Sequence, residues 1–237
     1  MKVAIITYVA QKSGAMLRDA LINNGVQAEL FDLKRVERKD FRDFDSVFSY
    51  GASCNTLHNH RFNLSDSVRN CVSKPRTFDL LKEAGVASLP YCTNKRHVPK
   101  EWGWCVVRKD ANGRKAEGLE YADCSLPLPD GELFTPYFEH KTEYRIVVFN
   151  GDVVGRYEKV EGEVNGENWH YFELRDKRGF GTMDEHILKA SKALGIDYAG
   201  FDVVANTKKD FRILEANSAA RLDDEAENAI VEYYINL

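Results

Sequence analysis

The sequence predicts an α/β protein, and three observations support that fold class. An apolar, β-rich run at residues 2–8 is followed by a helical pattern and by two further strand patterns at 27–31 and 45–50. A strand, a helix and two more strands in this order are typical of a small parallel sheet. Alternating patterns at 143–159 and 200–217 predict two antiparallel hairpins after it.

The first predicted helix covers residues 15–24 and closes at an Asn-Asn-Gly sequence, which is a C-cap signal. Gly51, Ala52 and Ser53 follow the third strand, at the end where open α/β sheets usually bind ligands. Residues 53–74 are polar and predict an irregular segment.

The next stretch predicts a helix, a strand and a loop. Pro75 stands at a plausible first helical position, and Gly85 follows the helical pattern as a C-cap. Residues 102–109 predict a strand, and the polar, glycine-containing stretch after it predicts a mobile loop.

Composition excludes several classes of protein. The 237 residues include 33 Lys and Arg against 37 Asp and Glu, and the net charge of -4 argues against the nucleic-acid backbone as main partner. No apolar run approaches the ~20 residues that span a bilayer, and the N-terminus resembles a buried strand more than a signal peptide. The five cysteines include no C-x-x-C pair, which argues against a disulfide framework or zinc site and favours a cytoplasmic location.

The first hairpin turns at Asn150-Gly151, the strongest short hairpin signal. With a two-residue turn, Arg145 is predicted to face Arg156, and Glu143 to face Glu158. Two facing arginines repel unless an anion lies between them or the glutamates neutralise them. The alternative is a solvated face of ion pairs.

The second hairpin places Asp202 opposite Glu215, with Asn217 two residues further on the same face. Facing carboxylates are unfavourable unless a cation binds between them. Two carboxylates and an amide are oxygen ligands, which favour Mg²⁺ or Mn²⁺ over zinc. The alternatives are a salt bridge from Lys or Arg to one carboxylate, or a slipped register.

Four segments together resemble the ATP-grasp superfamily. The run DYAGFDVVANTKKDFRILEANSAARL resembles its metal-binding signature, and EYRIVVFNGDVV resembles the hairpin that presents an Arg to the phosphates. SKPRTFDLLKEAGVASLP resembles the segment with a Lys before a helix. WCVVRKDANGRKAEGL resembles the cation-bearing strand and its loop. The chain is similar especially to compact, phage-type ATP-grasp proteins.

The resemblance implies an ATP-grasp fold with α+β lobes and an N-terminal, Rossmann-like pre-ATP-grasp lobe. It places the first lobe at 1–73, the ATP-grasp small lobe at 74–130 and the C-terminal lobe with the metal site at 131–237. It implies a ligase that uses Mg²⁺ and ATP to convert a carboxylate into an acyl-phosphate, which an amine or peptide nucleophile then attacks. If the protein is encoded by a phage, the expected location is the host cytoplasm.

The resemblance also implies roles for individual residues. The predicted metal ligands are Asp202, Glu215 and Asn217. The predicted catalytic cations are Arg145, Lys159 and Arg156. The predicted nucleotide-binding residues are Lys74, either Arg108 or Lys109, Arg114 and Lys115 of a lid at 112–117, and Pro136, Tyr137 and Phe138 of an adenine-reading hinge that begins at Thr135.

Several alternatives stay open at this point. The sequence Ser218-Ala219-Ala220-Arg221 departs from the family pattern where the acceptor usually binds, so the acceptor is not defined. His58, His60 and Arg61 could bind a carboxylate substrate, although an ordinary polar loop is the favoured interpretation. The rival functions are a nucleotide-binding protein without ligation and a kinase that phosphorylates a hydroxyl. An oligomer is left open.

Overall fold

The computed structural model describes residues 1–8, 12–33, 41–53, 61–112, 118–164, 167–174 and 178–237. The described residues form three sheets and five α-helices. Mixed helix and sheet were predicted, and the α/β class is confirmed.

The first sheet is parallel and has the strand order β2-β1-β3-β4. Its strands are β1 (Lys2–Thr7), β2 (Gln27–Asp32), β3 (Ser46–Tyr50) and β4 (Arg61–Phe62). Helix α1 (Lys12–Asn23) buries Leu17 and Leu21 against it, as the helical stripe in the sequence predicted.

The prediction of an irregular segment at 53–74 is wrong for its second half. Strand β4 is followed by α2 (Ser65–Val72) and α3 (Lys74–Glu83). Helix α2 is short and polar, with Val68 and Cys71 as its buried apolar residues, so its periodicity is weak. Its stability depends on tertiary packing more than on its own sequence.

A three-stranded antiparallel sheet, here the small sheet, has the order β6-β5-β7. It contains β5 (Trp104–Arg108), β6 (Leu119–Asp123) and β7 (Leu133–Pro136), and short 3₁₀ turns at Lys95–His97 and Lys100–Trp102 precede it. The predicted strand at 102–109 corresponds to β5.

The largest sheet is antiparallel and has the order β10-β9-β8-β11-β12. Its strands are β8 (Thr142–Phe149), β9 (Asp152–Val164), β10 (Glu167–Glu173), β11 (Tyr198–Ala205) and β12 (Phe211–Asn217). Helix α4 (Gly181–Leu194) packs on one face, whereas α5 (Asp224–Ile235) packs with the first sheet on the other.

The predicted register of the first hairpin is wrong beyond its turn. Phe149 pairs with Asp152 as expected, but a β-bulge after Val148 shifts the pairing by one residue. Arg145 therefore faces Tyr157, and Glu143 faces Lys159. An extra residue in one strand moves the following side chains to the opposite face, so the predicted Arg–Arg pair does not form.

The second hairpin has the predicted pairing of Asp202 with Glu215, also by way of a bulge. Near the loop, Ala205 pairs with Phe211, one residue away from the register that the sequence suggested. A bulge between Asp202 and Val203 restores it, so that Asp202 lies opposite Glu215 and Gly200 opposite Asn217.

The first and largest sheets share one hydrophobic core. Val3 and Ile5 of β1 pack in one cluster with Phe149, Tyr198 and Ile230. The Asn63 side chain joins the two sheets, since it donates to the backbone oxygens of Ser49 and Tyr198 and accepts from the backbone N–H groups of Asp197 and Tyr198.

The lobe boundaries after residues 73 and 130 stay predictions, as does the Rossmann-like character of the first lobe. Within the described ranges, no helix combines the length and the apolar character that a bilayer crossing requires.

Candidate active site

The predicted metal-binding side chains and two of the three predicted catalytic cations lie on one face of the largest sheet. Asp202 pairs with Arg145 on one side and with Glu215 on the other. Asn217 extends the same face, and its side-chain oxygen accepts from the N–H of Ala219 at 3.0 Å. The face therefore presents two carboxylates and an amide beside a guanidinium.

Arg145 donates to both oxygens of Asp202, each at 2.8 Å. Its guanidinium carbon lies 4.3 Å from the ring centroid of Tyr171. Burial alone would lower the pKa of Arg145, but the charge of Asp202 and the hydrogen bonds to it raise that pKa above its usual value. Burial, followed by the charge of Asp202, raises the pKa of Tyr171 to about 12.

Glycine is required at position 200 because the loop after β12 packs closely against it. A Cβ atom there would lie 2.8 Å from the Ala220 Cβ and 3.3 Å from the Arg145 Cδ. Gly200 thus leaves room for Ala220 and for the Arg145 side chain.

Two further cations surround Glu215. The Lys74 ammonium is buried at the start of α3 and lies 3.5 Å from a Glu215 oxygen. Arg108, at the end of β5, also interacts electrostatically with Glu215. Burial lowers the pKa of Arg108, and the negative charge of Glu215 raises it. Lys109 is exposed and binds Glu120 at 2.5 Å. Of these two candidates, Arg108 is the one that interacts electrostatically with Glu215.

The carboxylates thus have cationic partners, which was the alternative to the metal site. Among the described residues, no group of three or more His, Cys, Asp or Glu side chains is close enough to hold a metal ion. The oxygen donors of Asp202, Glu215 and Asn217 nevertheless fit a hard divalent cation, which prefers carboxylate and amide oxygens. Cation binding at Asp202 would compete with Arg145.

Lys159 lies on the same face and belongs to a chain of polar contacts. Its ammonium binds one oxygen of Glu143 at 2.5 Å, while the His140 Nε2 lies 3.2 Å from the other. The His140 Nδ1 lies 2.8 Å from the backbone oxygen of Phe138. The chain reaches from the predicted hinge to the neighbourhood of Arg145.

Arg156 lies on the opposite face of the sheet, which corrects the prediction that it assists Arg145. The bulge in β9 turns it toward α4, where it binds both oxygens of Asp184 at 3.1 and 2.6 Å. The geometry gives Arg156 a structural contact and does not bring it to the candidate active site.

The predicted hinge borders an aromatic pocket of about 400 Å³. Its lining rings are Trp104 of β5, Tyr121 of β6 and Tyr137 after β7. Trp104 and Arg108 share one face of β5, because residues four apart in a strand point the same way. Pro136 and Phe138 flank Tyr137, and the Phe138 ring lies beneath the Arg212 guanidinium at 5.0 Å.

Some predicted site residues lie outside the described residues. They are Arg114 and Lys115, with most of the predicted lid at 112–117, and His58 and His60.

Sequence reasoning missed three residues of this face: His140, Glu143 as a partner of Lys159, and Tyr171. The spacing of Glu143 and Arg145 placed them on one face, but their partners depend on the bulge in β9. Tyr171 comes from an edge strand that no motif marks. No signal in the sequence would have singled out His140.

The comparisons with known proteins agree with this geometry. Residues 135–234 match the family model of the RimK-like ATP-grasp domain. In the comparison with curated protein sequences, no sequence matches the chain.

Solved structures of similar fold cover nearly all of the chain. The ATP-grasp ligase PsnB complexed with a minimal precursor, Mg and ADP superposes with a TM-score of 0.73 at 14% identity, over 99% of this chain and 96% of that chain. D-alanine–D-alanine ligase from Bacillus anthracis gives 0.71 at 13% identity, over 98% and 93%. The macrocyclase MdnC bound with precursor peptide MdnA from Microcystis aeruginosa gives 0.67 at 12% identity, over 100% of each chain.

The cytoplasmic location and the likeness to phage-type proteins stay predictions. The sheet order, the position of the polar face and both comparisons lead to one assignment. Residues 135–234 are similar to the RimK-like ATP-grasp domain, and the chain as a whole has the ATP-grasp fold.

Proposed function

We propose that the protein is a Mg²⁺- and ATP-dependent ligase that joins a carboxylate to an amine or peptide nucleophile. The observation that carries this proposal is the shared face of Asp202, Glu215, Arg145 and Lys74. Phosphoryl transfer requires cations that bind the polyphosphate and stabilise the charge that develops on the transferred phosphoryl group. Lys74 and Arg145 are such cations, and Asp202 and Glu215 offer oxygens for a metal ion.

The nucleotide would lie between the small sheet and the largest sheet. Its base would stack in the aromatic pocket beside Tyr137, where flat rings offer dispersion and little charge. Lys74 and Arg108 would bind its phosphates, because the Lys74 ammonium lies beside Glu215 and Arg108 interacts electrostatically with the same carboxylate. Asp202, Glu215 and Asn217 would hold Mg²⁺, which neutralises phosphate charge when it is bound.

In the first step, a carboxylate oxygen of the substrate attacks the γ-phosphorus of ATP, and ADP leaves. The Arg145 guanidinium would stabilise charge on the transferred phosphoryl group, since its two parallel donors match phosphate as well as carboxylate. Lys159 stands on the neighbouring strand and would balance the charge of the incoming carboxylate. The nucleophile then attacks the acyl carbon, and phosphate leaves.

The acceptor is proposed as an amino acid or a peptide. Among the similar structures, PsnB is complexed with a minimal precursor, MdnC is bound with precursor peptide MdnA, and the third is a D-alanine–D-alanine ligase. The loop at 218–221 borders the site, and in this chain it carries Arg221, whose positive charge would suit a carboxylate group on either substrate.

Calorimetry of ATP binding with and without Mg²⁺ tests the nucleotide site. We expect wild type to bind Mg-ATP and Glu215→Gln to lose the dependence on Mg²⁺, while Glu83→Gln, at an exposed position of α3, serves as control. Absence of ATP binding by wild type under both conditions would overturn the proposal.

A second assay tests the chemistry. Release of ADP and phosphate that requires a carboxylate and an amine together supports a ligase. Phosphate transfer to a hydroxyl would identify a kinase, and tight ATP binding without turnover on any acceptor would identify a binding protein.

A further inference from the structure

Four groups connect the hinge to the catalytic face in one chain of contacts. The backbone oxygen of Phe138 lies 2.8 Å from His140 Nδ1, and His140 Nε2 lies 3.2 Å from a Glu143 oxygen. The second Glu143 oxygen lies 2.5 Å from the Lys159 ammonium. The chain therefore spans from the loop after β7 to β9, across the start of β8.

The two acceptors next to His140 determine which of its ring nitrogens must carry a proton to donate a hydrogen bond. A carbonyl oxygen can only accept, so His140 Nδ1 must carry a proton and donate it to Phe138. Glu143 faces Lys159 in a partly buried ion pair, and an ionised carboxylate also only accepts. The two contacts of His140 can both be hydrogen bonds only when Nε2 carries a proton as well as Nδ1.

The surrounding charges are compatible with this state. Glu143 is the anion next to the ring, and Lys159 lies beyond it. Arg212 lies over the Phe138 ring at 5.0 Å. Burial and then the charge of Asp202 raise the pKa of Tyr171, and the charge of Glu143 adds to this shift. One carboxylate held by two cations is fixed in orientation at both oxygens.

We propose that His140, doubly protonated, is a positioning residue that holds Lys159 through Glu143 and ties it to the hinge backbone at Phe138. This inference rests on the proposed function for its catalytic meaning. A lysine side chain alone is a mobile point charge with several rotamers. His140 holds the Glu143 oxygen that Lys159 does not contact. The fixed carboxylate then keeps the Lys159 ammonium on the face that carries Arg145.

The proton count is tested on wild type by ¹⁵N NMR of the imidazole nitrogens near neutral pH. We expect both nitrogens of His140 to be protonated. His186 is the internal control, because its Nδ1 accepts from the N–H of Ala87 at 3.0 Å and must lack a proton. A His140 ring with one proton in the wild-type protein would overturn the proposal, whether or not the protein is a ligase.

The positioning role is tested by kinetics of acyl-phosphate formation. His140→Ala and Glu143→Gln should each lower kcat by about tenfold, as expected for a misplaced reacting group, and leave the KM for ATP within about twofold. The double variant should be no slower than the slower single variant, because both substitutions break one chain. His97→Ala, at an exposed histidine of the small lobe, is the matched control.

Two kinetic results would contradict the proposal. One is an unchanged kcat in both single variants, and the other is multiplicative losses in the double variant. A failure of the proposed function is recognised separately, because wild type would then show no turnover while the NMR result still decides the state of His140. A variant that fails to fold leaves the wild-type NMR measurement as the deciding one.

Discussion

Arg145 donates two parallel hydrogen bonds to Asp202, each 2.8 Å long, and its guanidinium rests on the Tyr171 ring. The residue proposed for the phosphoryl group and a residue proposed for the metal thus neutralise one another. Binding of Mg-ATP would exchange this contact for two new ones: phosphate at Arg145 and a divalent cation at Asp202. The carboxylate and the guanidinium are held in place before either arrives.

Substitutions of Arg145 and Arg156 test which face of the largest sheet carries the catalytic arginine. Arg145→Ala should lower kcat by roughly 10²–10³-fold, because it removes a donor that meets charge in the transition state. Arg156→Ala should leave kcat nearly unchanged and lower the free energy of unfolding by about 1–2 kcal/mol, since it breaks two hydrogen bonds to Asp184. Steady-state kinetics and urea unfolding of both variants provide the measurements.

The comparison of Arg145 with Arg156 also tests the register directly. If Arg156→Ala were as damaging to kcat as Arg145→Ala, the two arginines would share a face and the bulge in β9 would be misplaced. Arg145→Lys should recover part of the lost rate, but it cannot restore the two-pronged contact.

The neighbouring cations Arg108 and Lys109, at the end of β5, are predicted to differ in their effect on nucleotide binding. Arg108→Ala should raise the Kd for Mg-ATP by about tenfold, because the partly buried guanidinium interacts electrostatically with Glu215. Lys109→Ala should change it by less than about twofold, since its ammonium pairs with Glu120 at the surface. Calorimetric titration distinguishes the two, and equal effects would contradict the assignment.

The sequence predicted β1, β2, β3, β5 and the two hairpins because apolar alternation and turn residues are local signals, but it did not predict β4, β6, β7 or β10. The Asn150-Gly151 turn, the strand pattern of β5 and the pairing of Asp202 with Glu215 are examples. It could not predict the bulges, because an extra residue is accommodated by packing on both sides of the sheet. One bulge moved Arg156 away from the site, and the other preserved the acidic pair.

The candidate site was predictable where chemistry alone marked the residues. Facing carboxylates and a nearby arginine stood out from the pattern, whereas Tyr171 and His140 did not. Both depend on long-range contacts, such as the pairing of β10 with β9 and the approach of His140 to Glu143. A single sequence carries no local sign of such contacts.

Asn63 is predicted to be a major source of stability. Its side chain makes four hydrogen bonds to backbone groups of two sheets, and its own N–H donates to Asp197 at 2.8 Å. Asn63→Ala leaves buried backbone groups unsatisfied, so the free energy of unfolding should fall by about 2–4 kcal/mol. Urea denaturation measures this loss.

Asn150→Gly is the matched control for Asn63. Both asparagines have a positive φ, 56° and 50°, but Asn150 lies in an exposed turn. Its replacement by glycine should change the free energy of unfolding by less than about 1 kcal/mol. A loss at Asn63 no larger than that at Asn150 would contradict its role as a junction.

Asp197 is predicted to make stability depend on pH. Burial raises the pKa of its carboxyl above the ordinary value of 3.8, although the Asn63 N–H opposes the shift. The folded state therefore binds the proton more tightly than the unfolded state does, and this contribution to stability falls as pH rises above 3.8. Asp197→Asn should gain stability relative to wild type as pH rises above 3.8.

Unfolding free energies at several pH values measure the Asp197 effect. Asp43→Asn, at an exposed position, is the control and should follow wild type. A constant difference between Asp197→Asn and wild type across the pH range would rule out the predicted linkage.

Gly51 and the shared core limit how this chain can be cut or recombined. A Cβ atom at Gly51 would lie 2.5 Å from the Ala219 Cβ, so the end of β3 and the loop after β12 touch with no room for a side chain. A fragment that starts at residue 74 would expose Phe149, Tyr198 and Ile230, which now pack against β1. The first seventy-three residues are thus no exchangeable module. A chimera that replaces them must supply a glycine at this contact and an apolar surface of matching shape.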